Sequence, residues 1–542
     1  MISNGFCKFY STIANRLKEK SFPLKNFIWN YQTSDTRYAS LPNFKFTPVL
    51  DTQVLKYLKN LKRKCATGLD DLPACYLKDI AFVIAKPLTH VINLSLSSGI
   101  VPNCLKSARV TPIFKSGSSQ TFENYRPISI LPVISKIYEK CVHKQLMDYL
   151  ESNHLLARNQ YGYRSKRSTE LATAYFCDSI RRSMDDGKLT GAIFVDLSKA
   201  FDTIGHSTII NKLPSFGITS TAQDWLASYL FGRHQHVRYK GNLSLPSPIF
   251  CGVPQGSILG PLLFLLIFND SSKSLTTCKI LTYADDTVIF FSHKNIDIIR
   301  DHLQTDFDRF VSWLERNELI LNPKIGKTET MLFGTGKRIS MTENTSLNIT
   351  HKDKAINQTE NYEYLGLSLT CTLCMSQYIT SSIKKASSRL NLLRKMRTFV
   401  DSDTALTIYL SMILPLITNC TFATYGATAN YLKERTVRLE NRATRIIGTE
   451  VNNTNTIKVK RICSFVHQCL YGKVCEPFQA YFKLRKNVLG VRNHSYVVVP
   501  RFKLESARYG FYVQGALAFN SLPVDFQKEK DESKFKSFLK NY

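Results

Sequence analysis

Asp285 and Asp286 lie side by side in the middle of the stretch from Leu281 to Phe291. β-Branched and aromatic residues dominate both flanks, so each flank predicts a short strand. An Asp-Asp pair between two strands predicts a tight turn, which would place both acids at the tip of a hairpin. Two carboxylates without a neighbouring Lys or Arg repel each other unless a cation lies between them, and Mg²⁺ prefers such oxygen ligands. A solvated turn is the alternative interpretation of the pair alone.

A third carboxylate, Asp196, follows the apolar run Ala192–Val195. The run predicts a buried strand that ends at the acid. If this strand lies beside the hairpin, Asp196, Asp285 and Asp286 meet at one edge of a sheet. Three such carboxylates are the ligand set for two metal ions about 3.5–4 Å apart, which clamp an in-line phosphoryl displacement. The expected ions are Mg²⁺, with Mn²⁺ as the alternative.

A bent loop and an apolar helix are predicted between these two acid sites. Pro254, Gly256, Gly260 and Pro261 bend the chain, and Pro261 suits the first turn of the helix that follows. Small residues let a flat base or a ribose approach the backbone closely. This loop is therefore a candidate contact for a nucleotide.

The other elements that must position these residues follow from periodicity and turn residues. Residues 105–130 predict a strand, a loop and a second strand, and apolar spacing predicts a helix over Ile134–Leu150. The basic loop Gln160–Ser168 precedes a helix that runs through Met184. A further helix is predicted over Trp313–Leu321, ending before an Asn-Pro pair.

In order along the chain, these motifs resemble the reverse transcriptases of non-LTR retrotransposons, the LINE-type elements, and most nearly the jockey and CR1-like group. The resemblance covers residues 95–370 strongly and both flanks weakly. A Tyr-Ala-Asp-Asp motif alone is weak evidence, whereas the ordered series is very specific. The series comprises Thr111–Lys115, Asn124–Ser129, Gln160–Arg164, Phe194–Asp202, Gly252–Pro261, Tyr283–Asp286, Asn322–Met331 and Tyr364–Gly366.

The resemblance implies an α+β, right-hand polymerase with fingers, a palm with an antiparallel sheet, and a thumb. A mostly helical, basic C-terminal region would follow. The implied activity is RNA-directed DNA polymerisation, which adds deoxynucleotides to a primer 3′-hydroxyl by two-metal catalysis. The predicted divisions are 1–94 as an N-terminal extension, 95–370 as fingers and palm, 371–450 as a thumb-like helical region, and 451–542 as a basic C-terminal module.

The resemblance also implies a site for the incoming nucleotide. Lys115 and Arg126 would hold its phosphates, for which Arg offers a planar fork and Lys a point charge. Phe201 would pack under the sugar and leave no room for a 2′-hydroxyl, although packing in a core is the usual role of Phe. Gln255 and Gly256 would line the same site.

Other residues would act on the leaving group and on the nucleic acid. By resemblance Lys327 protonates the departing pyrophosphate, a general-acid role for which Lys324 competes because the interval after Asn322 is long. Arg164 would contact a template phosphate. The segment from Tyr364 to Gly366 resembles the hairpin that grips the primer end.

The charge balance indicates a polyanionic partner. The chain has 72 Lys and Arg against 42 Asp and Glu, a net charge of +30, which favours nucleic acid over a membrane. The stretch Ser376–Val400 carries six cations and no acid, among them Lys384, Lys385 and Arg389. We interpret it as a thumb helix that follows a duplex backbone, with a solvated face as the alternative.

The expected partners are template RNA, a DNA primer and deoxynucleotide triphosphates, without a membrane. Fourteen scattered cysteines indicate reduced, intracellular thiols, and the resemblance implies the nucleus and a cytoplasmic ribonucleoprotein. About 100 residues precede the fingers, too few for the apurinic-type endonuclease of this family, so endonuclease activity is expected from elsewhere.

A degenerate or domesticated copy that binds nucleic acid without catalysis is the rival interpretation. Gly205 precedes His206 where the family usually has Asp or Asn, and Ile267–Ser272 also departs from the usual pattern. Neither departure touches a proposed ligand, and every core motif is intact.

Overall fold

The computed structural model describes residues 2–21, 43–485 and 497–541. The chain forms two compact units, and each unit is assembled from separated stretches of sequence. The first unit comprises Met1–Tyr163, Asp196–Leu275 and Asp308–Asn322, and the second comprises Arg164–Val195, Thr276–Phe307 and Pro323–Tyr542. The architecture is mixed α+β, as predicted, whereas the four linear divisions proposed from the sequence stay a prediction.

The helices of the described residues are, in chain order, α1 (Ile2–Ser21), α2 (Asp51–Lys59), α3 (Ala74–Asp79), α4 (Ala81–Ser98), α5 (Val133–Ser152), α6 (Thr169–Asp185), α7 (Ala200–Thr203), α8 (His206–Lys212), α9 (Ser220–Leu230), α10 (Leu259–Phe268), α11 (Ile296–Arg316), α12 (Gly336–Ser340), α13 (Ser376–Met396), α14 (Ser402–Ile408), α15 (Leu414–Thr418), α16 (Thr421–Thr424), α17 (Asn430–Ile447), α18 (Thr454–Leu470), α19 (Glu476–Gln479), α20 (Glu505–Arg508), α21 (Phe511–Asn520), α22 (Val524–Lys528) and α23 (Glu532–Asn541).

The strands are β1 (Ser107–Phe114), β2 (Tyr125–Ile130), β3 (Leu189–Val195), β4 (Arg233–Tyr239), β5 (Asn242–Leu243), β6 (Ser247–Ile249), β7 (Lys279–Tyr283), β8 (Asp286–His293), β9 (Glu329–Phe333), β10 (Thr350–His351), β11 (Lys354–Ala355), β12 (Asn361–Tyr364) and β13 (Leu367–Thr370).

The first unit contains a five-stranded sheet. Its order is β2-β1-β4-β5, with β6 also paired to β4; β1 runs antiparallel to β2 and parallel to β4. Helix α1 covers this sheet through Phe6 and Cys7, which pack with Val110, Tyr125 and Val237 in one buried cluster. The β1–β2 pair thereby gains a rigid backing.

The second unit contains a four-stranded antiparallel sheet in the order β7-β8-β3-β9. Every residue of β3 is buried, because the strand lies between two neighbours and under helices. The Phe176 ring of α6 packs edge-on against Phe194 of β3, and the Tyr362 ring of β12 stacks on Phe194 at 4.0 Å between ring centroids. Helix α6 and the β12–β13 hairpin therefore both help to fix β3.

The predicted helix over Trp313–Leu321 is wrong. Helix α11 ends at Arg316 instead, and Glu318 adopts a positive φ of 58°, which stops a helix. Leu321 then forms an antiparallel bridge with Leu197. The spacing of apolar residues predicted a helix here, but the bridge to a distant segment keeps the chain extended at Leu321.

The other predicted elements are confirmed within a few residues at their ends. These are the β1–β2 pair, the strand before Asp196, α5, α6, the β7–β8 and β12–β13 hairpins, α10 with Pro261 in its first turn, and α13. No helix in the described ranges is long and apolar enough to cross a membrane.

Candidate active site

The tip of the β7–β8 hairpin carries the two adjacent acids. Tyr283 pairs with Asp286, so the two-residue turn is Ala284-Asp285, and Asp286 is the first residue of β8. The predicted Asp-Asp turn is therefore correct in kind but displaced by one residue. Asp285 is half-buried and Asp286 is exposed. One acid thus lies in the turn and the other at the start of a strand, and their side chains differ in exposure.

Ala284 adopts the left-handed conformation, with φ at 57°, although it is not glycine. This conformation costs an L-residue about 1–2 kcal/mol. The methyl group is 5% exposed, and the Thr287 hydroxyl donates to the Asp285 carbonyl at 3.3 Å. The surrounding packing holds the turn in a strained conformation, which is typical of functional sites.

Asp196 is the residue that follows β3. Val195, the last residue of the strand, pairs with Thr287 of β8 in the sheet of the second unit. Asp196 itself begins a stretch of the first unit, where the Asn322 side-chain amide donates to its carboxylate at 2.7 Å. The Asn322 backbone N–H also donates to the Asp196 carbonyl, at 2.9 Å. Asn322 thus hydrogen-bonds to both the side chain and the backbone of Asp196.

The three aspartates offer only carboxylate oxygens, which is the donor chemistry that Mg²⁺ prefers. In the part of the chain that the structure describes, no group of three or more His, Cys, Asp or Glu side chains is arranged so that it could hold a metal ion. The donor set therefore fits the ion by its chemistry, and the three-carboxylate site stays a prediction.

The predicted nucleotide loop lies against the segment around Phe201 in the first unit. The Val253 N–H donates to the Phe201 carbonyl at 2.8 Å, and the Gly252 N–H donates to the Ile204 carbonyl at 2.7 Å. The Phe201 ring is half-buried and stacks on Phe264 of α10, with 4.6 Å between centroids. Packing therefore fixes the orientation of this ring.

Gln255 and Gly256 are tied to two separate elements. The Gln255 side-chain amide donates to the Asp202 carboxylate at 2.7 Å, and the Gln255 backbone carbonyl accepts from the Ser129 backbone N–H at 2.7 Å. Gly256 has a φ of 123°, and a Cβ there would lie 2.4 Å from the Ser129 carbonyl oxygen. Glycine is therefore required where the loop crosses β2.

Charged side chains surround this loop. Lys115 and Arg126 are exposed at one end of the β1–β2 pair, where the Lys115 N–H donates to the Asn124 carbonyl. Burial raises the pKa of Asp202, and Gln255, Lys199 and Arg126 oppose that rise. Burial also lowers the pKa of Lys199, as does Lys115 nearby. The structure thus brings together within the first unit the cations predicted to hold phosphates.

Glu139 is a positioning residue that the sequence analysis missed. Its side chain is 1% exposed on α5 and accepts from the backbone N–H groups of Ile258 and Leu259, at the start of α10. Burial raises the pKa of Glu139, and the Ile258 N–H and the Arg233 charge oppose that rise. The carboxylate complements the positive end of α10 and anchors the end of the nucleotide loop. The sequence did carry a signal for this role, because Glu139 is an acidic residue on the otherwise apolar, buried face of α5.

Lys327 and Lys324 lie in one loop of the second unit. Lys327 is half-buried, and its carbonyl accepts from the Tyr362 hydroxyl at 3.4 Å, whereas Lys324 is exposed. The Glu329 carboxylate accepts from the Gly326 N–H at 3.0 Å and thereby shapes the loop. Lys327 is thus the less exposed lysine of the two, and the choice between them as general acid stays a prediction.

The predicted nucleic-acid contacts differ in exposure. Arg164 is half-buried, and Gly366 is exposed with a φ of 82° in the turn of the β12–β13 hairpin. The Tyr364 side chain is only 3% exposed and packs against Phe176 and Phe194. The prediction that Tyr364 contacts nucleic acid is therefore wrong for its ring, which packs inside the hairpin. The exposed part of the hairpin is the turn at Gly366.

Residues 113–369 match the sequence profile of the family described as reverse transcriptase (RNA-dependent DNA polymerase). Over these residues the chain is similar to a reverse transcriptase domain. The matched residues lie inside the predicted 95–370 division and contain all the residues proposed for catalysis and nucleotide binding. RNA-directed DNA polymerase is thus the kind of enzyme that residues 113–369 resemble.

Curated relatives carry names from mobile elements of Drosophila melanogaster. A probable RNA-directed DNA polymerase from transposon BS is 28% identical over 64% of this chain and 38% of its own length. The RNA-directed DNA polymerase from mobile element jockey is 26% identical over 77% of this chain and 46% of its own length. The probable polymerase from transposon X-element is 26% identical over 71% of this chain and 42% of its own length. The predicted jockey-like relationship is confirmed, and the chain spans less than half the length of these relatives.

Both departures from the family pattern take part in packing within the reverse transcriptase domain. A Cβ at Gly205 would lie 2.6 Å from the Glu318 carboxylate. Asp270 pairs with Lys212 at 2.7 Å and accepts from the Trp313 indole N–H at 3.2 Å. Gly205 therefore fits a space with no room for a side chain, and Asp270 has both an ion-pair partner and a hydrogen-bond donor.

The basic helix α13 follows the reverse transcriptase domain. Lys384, Lys385 and Arg389 are exposed, as predicted for a surface that meets phosphates, although Arg389 also donates to the Met412 carbonyl at 2.6 Å. Arg397 likewise donates to the Val400 carbonyl and the Ser402 hydroxyl. Two of the six cations, Arg389 and Arg397, thus also hydrogen-bond to backbone carbonyls of the chain itself.

Proposed function

We propose that the chain is an RNA-directed DNA polymerase that extends a primer 3′-hydroxyl with deoxynucleotides. One observation carries the proposal beyond the family match: β3 ends one residue before Asp196, and its neighbour β8 begins at Asp286. Antiparallel neighbours place the end of one strand beside the start of the other. This register supports Asp196, Asp285 and Asp286 as one carboxylate set.

Asp196, Asp285 and Asp286 would hold two Mg²⁺ ions, or Mn²⁺ in their place. When bound, the ions supply activation of the primer hydroxyl and neutralisation of the triphosphate charge. Asn322 would orient Asp196 through the hydrogen bond to its carboxylate, since a held carboxylate loses less freedom on binding a cation.

Lys115 and Arg126 would bind the triphosphate of the incoming nucleotide. Both are exposed, and the Asp202 carboxylate accepts from the Gln255 side-chain amide. Phe201 would exclude the ribose 2′-hydroxyl, because its stacking on Phe264 fixes the ring. These residues would select and orient the substrate.

Lys327 would donate a proton to the leaving pyrophosphate. Lys327 is half-buried and its backbone carbonyl accepts from Tyr362, whereas Lys324 is exposed, and a general acid must be held close to the group that it protonates. The Glu329 carboxylate, which accepts from the Gly326 N–H and the Asn357 side-chain amide, supports the loop.

The proposed layout is a right hand with fingers, palm and thumb. The β1–β2 pair would serve as fingers, the β7-β8-β3-β9 sheet as palm and the basic helix α13 as thumb. Template RNA and a DNA primer would bind along these elements, with Arg164, Gly366, Lys384 and Lys385 as backbone contacts. The nick that supplies the primer would come from another active site, and the working locations would be the nucleus and a cytoplasmic ribonucleoprotein.

A binding protein without catalysis is the rival function. Against this rival, the two residues that depart from the family pattern, Gly205 and Asp270, both fit their surroundings, so neither departure disrupts the fold. The test is a primer-extension assay with purified chain, an RNA template, an annealed DNA primer, deoxynucleotides and Mg²⁺. Extension that requires every one of these components supports the polymerase, whereas tight binding of the primed template without extension supports the rival.

A further inference from the structure

Helix α4 of the first unit carries apolar side chains on two opposite sides. Its inner side, which includes Ala85 and Ile92, is buried, and the helix packs against α2 and α9. Its outer side is exposed although it is also apolar, and its row of residues is Ile80, Val83, Pro87, Val91 and Leu94. A helix that is apolar all round is normally covered on all sides. The outer side of α4 therefore indicates a surface that meets a partner.

The five residues form one continuous row along the helix. Single exposed apolar residues are ordinary on protein surfaces, whereas a contiguous patch is not. Val83 is 77% exposed and Leu94 is 59% exposed, and successive members are three or four residues apart, which makes them neighbours on a helix surface. Together they expose on the order of 500 Å², a size at which apolar patches are often functional.

The surface around the row is large enough for a stable contact. Tyr76 of α3 lies one helical turn before Ile80, because its carbonyl accepts from the Ile80 N–H at 3.0 Å, and its side chain is also exposed. With Tyr76 and the flanking Lys86 and His90, the exposed area is on the order of 800 Å², which is what each partner buries in a standard-size interface.

The charge of this surface excludes a polyanion and permits a second copy of the chain. Helix α4 has one charged side chain, Lys86, among its 18 residues, whereas the whole chain has a net charge of +30. Phosphates need cations, so a nucleic acid has little to bind here. Two copies that meet at α4 avoid the repulsion between their other, basic surfaces, and the cores of interfaces are poor in charged residues.

The spacing of the row is the same in both directions. Val83 and Val91 are each four residues from Pro87, and Ile80 and Leu94 are each seven residues from it. A two-fold axis at Pro87 would place Val83 of one copy against Val91 of the other, and Ile80 against Leu94. Two identical copies need such a self-complementary patch. A second copy of this chain is therefore the partner that the spacing fits.

We propose that two copies of this chain associate through α4, with the two helices packed antiparallel about a two-fold axis at Pro87. Helices pack with their axes about 8–10 Å apart, and short side chains at the contact allow that approach. Val83, Pro87 and Val91 supply such side chains at the centre. The association requires neither metal nor nucleotide, so it goes beyond the proposed polymerase activity and is tested separately from it.

Sedimentation equilibrium of the full chain tests for the association. The protein is treated with nuclease and kept in EDTA, because nucleic acid could bridge two basic molecules. We expect a dimer whose dissociation constant changes little with salt, since salt screens charges and the contact is apolar. A chain that stays monomeric at every concentration would overturn the proposal, whether or not it binds lipid vesicles or another protein.

Two double variants test the antiparallel register. Val83→Glu with Val91→Lys places opposite charges across the two-fold axis, whereas Val83→Glu with Val91→Glu places like charges there. Within one helix these positions are about 12 Å apart, so the paired charges meet only between copies. We expect the Glu–Lys variant to dimerise, more weakly at high salt. The Glu–Glu variant should associate about 100-fold more weakly than the unaltered chain, because like charges across an interface are costly.

The matched control carries Val437→Glu and Val524→Glu, at two exposed valines of the second unit. It should dimerise as the unaltered chain does. Equal weakening of both α4 double variants would overturn the proposed packing, as would a weakening of the control as large as that of the Glu–Glu variant.

Cysteine cross-linking provides a second test that does not depend on the affinity. Residue 87 faces its own copy in the proposed pair, so Pro87→Cys should give a disulfide between two identical peptides under mild oxidation, identified by mass spectrometry. Ser97→Cys, at an exposed position of the same helix, is the control, because the two copies of residue 97 would be about 30 Å apart in an antiparallel pair. Cross-linking of Pro87→Cys that does not exceed that of Ser97→Cys would overturn the proposal.

Discussion

The side-chain amide of Asn322 donates to one carboxylate oxygen of Asp196 at 2.7 Å, while the Asn322 backbone N–H donates to the Asp196 carbonyl. The two residues are 126 positions apart in sequence. Leu197 and Leu321 form a bridge beside them, so a short two-stranded contact carries the pair. Asp196 is therefore held in orientation before any cation or substrate binds.

Asn322→Ala should weaken catalysis without weakening RNA binding. Loss of the amide frees the Asp196 carboxylate to rotate, and the loss of such supporting contacts typically costs about 10–100-fold in metal affinity or activity. The measurement is the extension rate as a function of Mg²⁺ concentration. Asn361→Ala, at an exposed asparagine, is the control and should leave the curve unchanged. An unaltered Mg²⁺ dependence in Asn322→Ala would show that this contact serves packing alone.

Phe201→Val should increase incorporation of ribonucleotides relative to deoxyribonucleotides. The smaller side chain opens space where a 2′-hydroxyl would lie, and a lost steric contact of this size is worth about tenfold or more. The measurement is the ratio of kcat/KM for the two nucleotide types. Phe201→Tyr keeps the stacked ring on Phe264 and should preserve discrimination. If the ratio is the same in all three proteins, Phe201 is only a packing residue.

Gly256→Ala should distort the nucleotide loop. The added methyl group would lie 2.4 Å from the Ser129 carbonyl oxygen, at a φ of 123°, so we expect a loss of about 1–3 kcal/mol of stability. The KM for deoxynucleotides should rise, because Gln255 precedes the distorted residue. Thermal unfolding and steady-state kinetics measure the two effects.

Gly336→Ala provides the matched control for that substitution. No atom lies within 4 Å of a Cβ built at Gly336, so this variant should keep both its stability and its KM. An effect in Gly336→Ala as large as that in Gly256→Ala would contradict the explanation from the close approach to Ser129.

Asp178 should make the second unit less stable as the pH rises. Burial raises its pKa from 3.8 to about 6, and the Arg181 charge and the N–H groups of Phe511 and Tyr512 oppose the rise. The folded state therefore binds the proton more tightly than the unfolded state between about pH 4 and pH 6. Stability contributed by this group is present below that window and declines as the pH rises through it.

Comparison with Asp178→Asn isolates this group. The free energy of unfolding of the wild type should fall relative to the variant by about 2 kcal/mol between pH 4 and pH 6, out of about 3 kcal/mol over the full titration, since one pKa unit corresponds to about 1.36 kcal/mol. Above about pH 7 the difference should stay constant. Urea unfolding of the two proteins at several pH values measures it. A pH-independent difference would rule out titration of Asp178 in this range.

Local patterns were sufficient for much of the reverse transcriptase domain. β-Branched and aromatic residues on either side of an Asp-Asp pair predicted the β7–β8 hairpin, and an apolar run predicted β3, because both patterns are typical of buried strands. The order of motifs predicted the family. The nucleotide loop was recognised from its glycines and prolines, whose conformations are restricted whatever their surroundings.

Contacts between distant segments could not be predicted in the same way. Glu139 caps α10 across 119 residues, and Asp178 accepts from Phe511 across 333. No local spacing records such partners. The helix predicted over Trp313–Leu321 failed for the same reason, because the bridge of Leu321 with Leu197 favours an extended chain there.

The central claim is that Asp285 acts in metal-dependent polymerisation. Asp285→Asn keeps the size and the hydrogen-bonding capacity of the side chain but removes its charge, and Asp301→Asn removes a charge from an exposed position on α11 as the control. The decisive measurement is single-turnover primer extension on an RNA template with Mg²⁺, alongside the affinity of each protein for that primed template. We predict extension at the background rate for Asp285→Asn, the wild-type rate for Asp301→Asn, and equal affinity for all three proteins. Extension by Asp285→Asn at close to the wild-type rate would contradict the account.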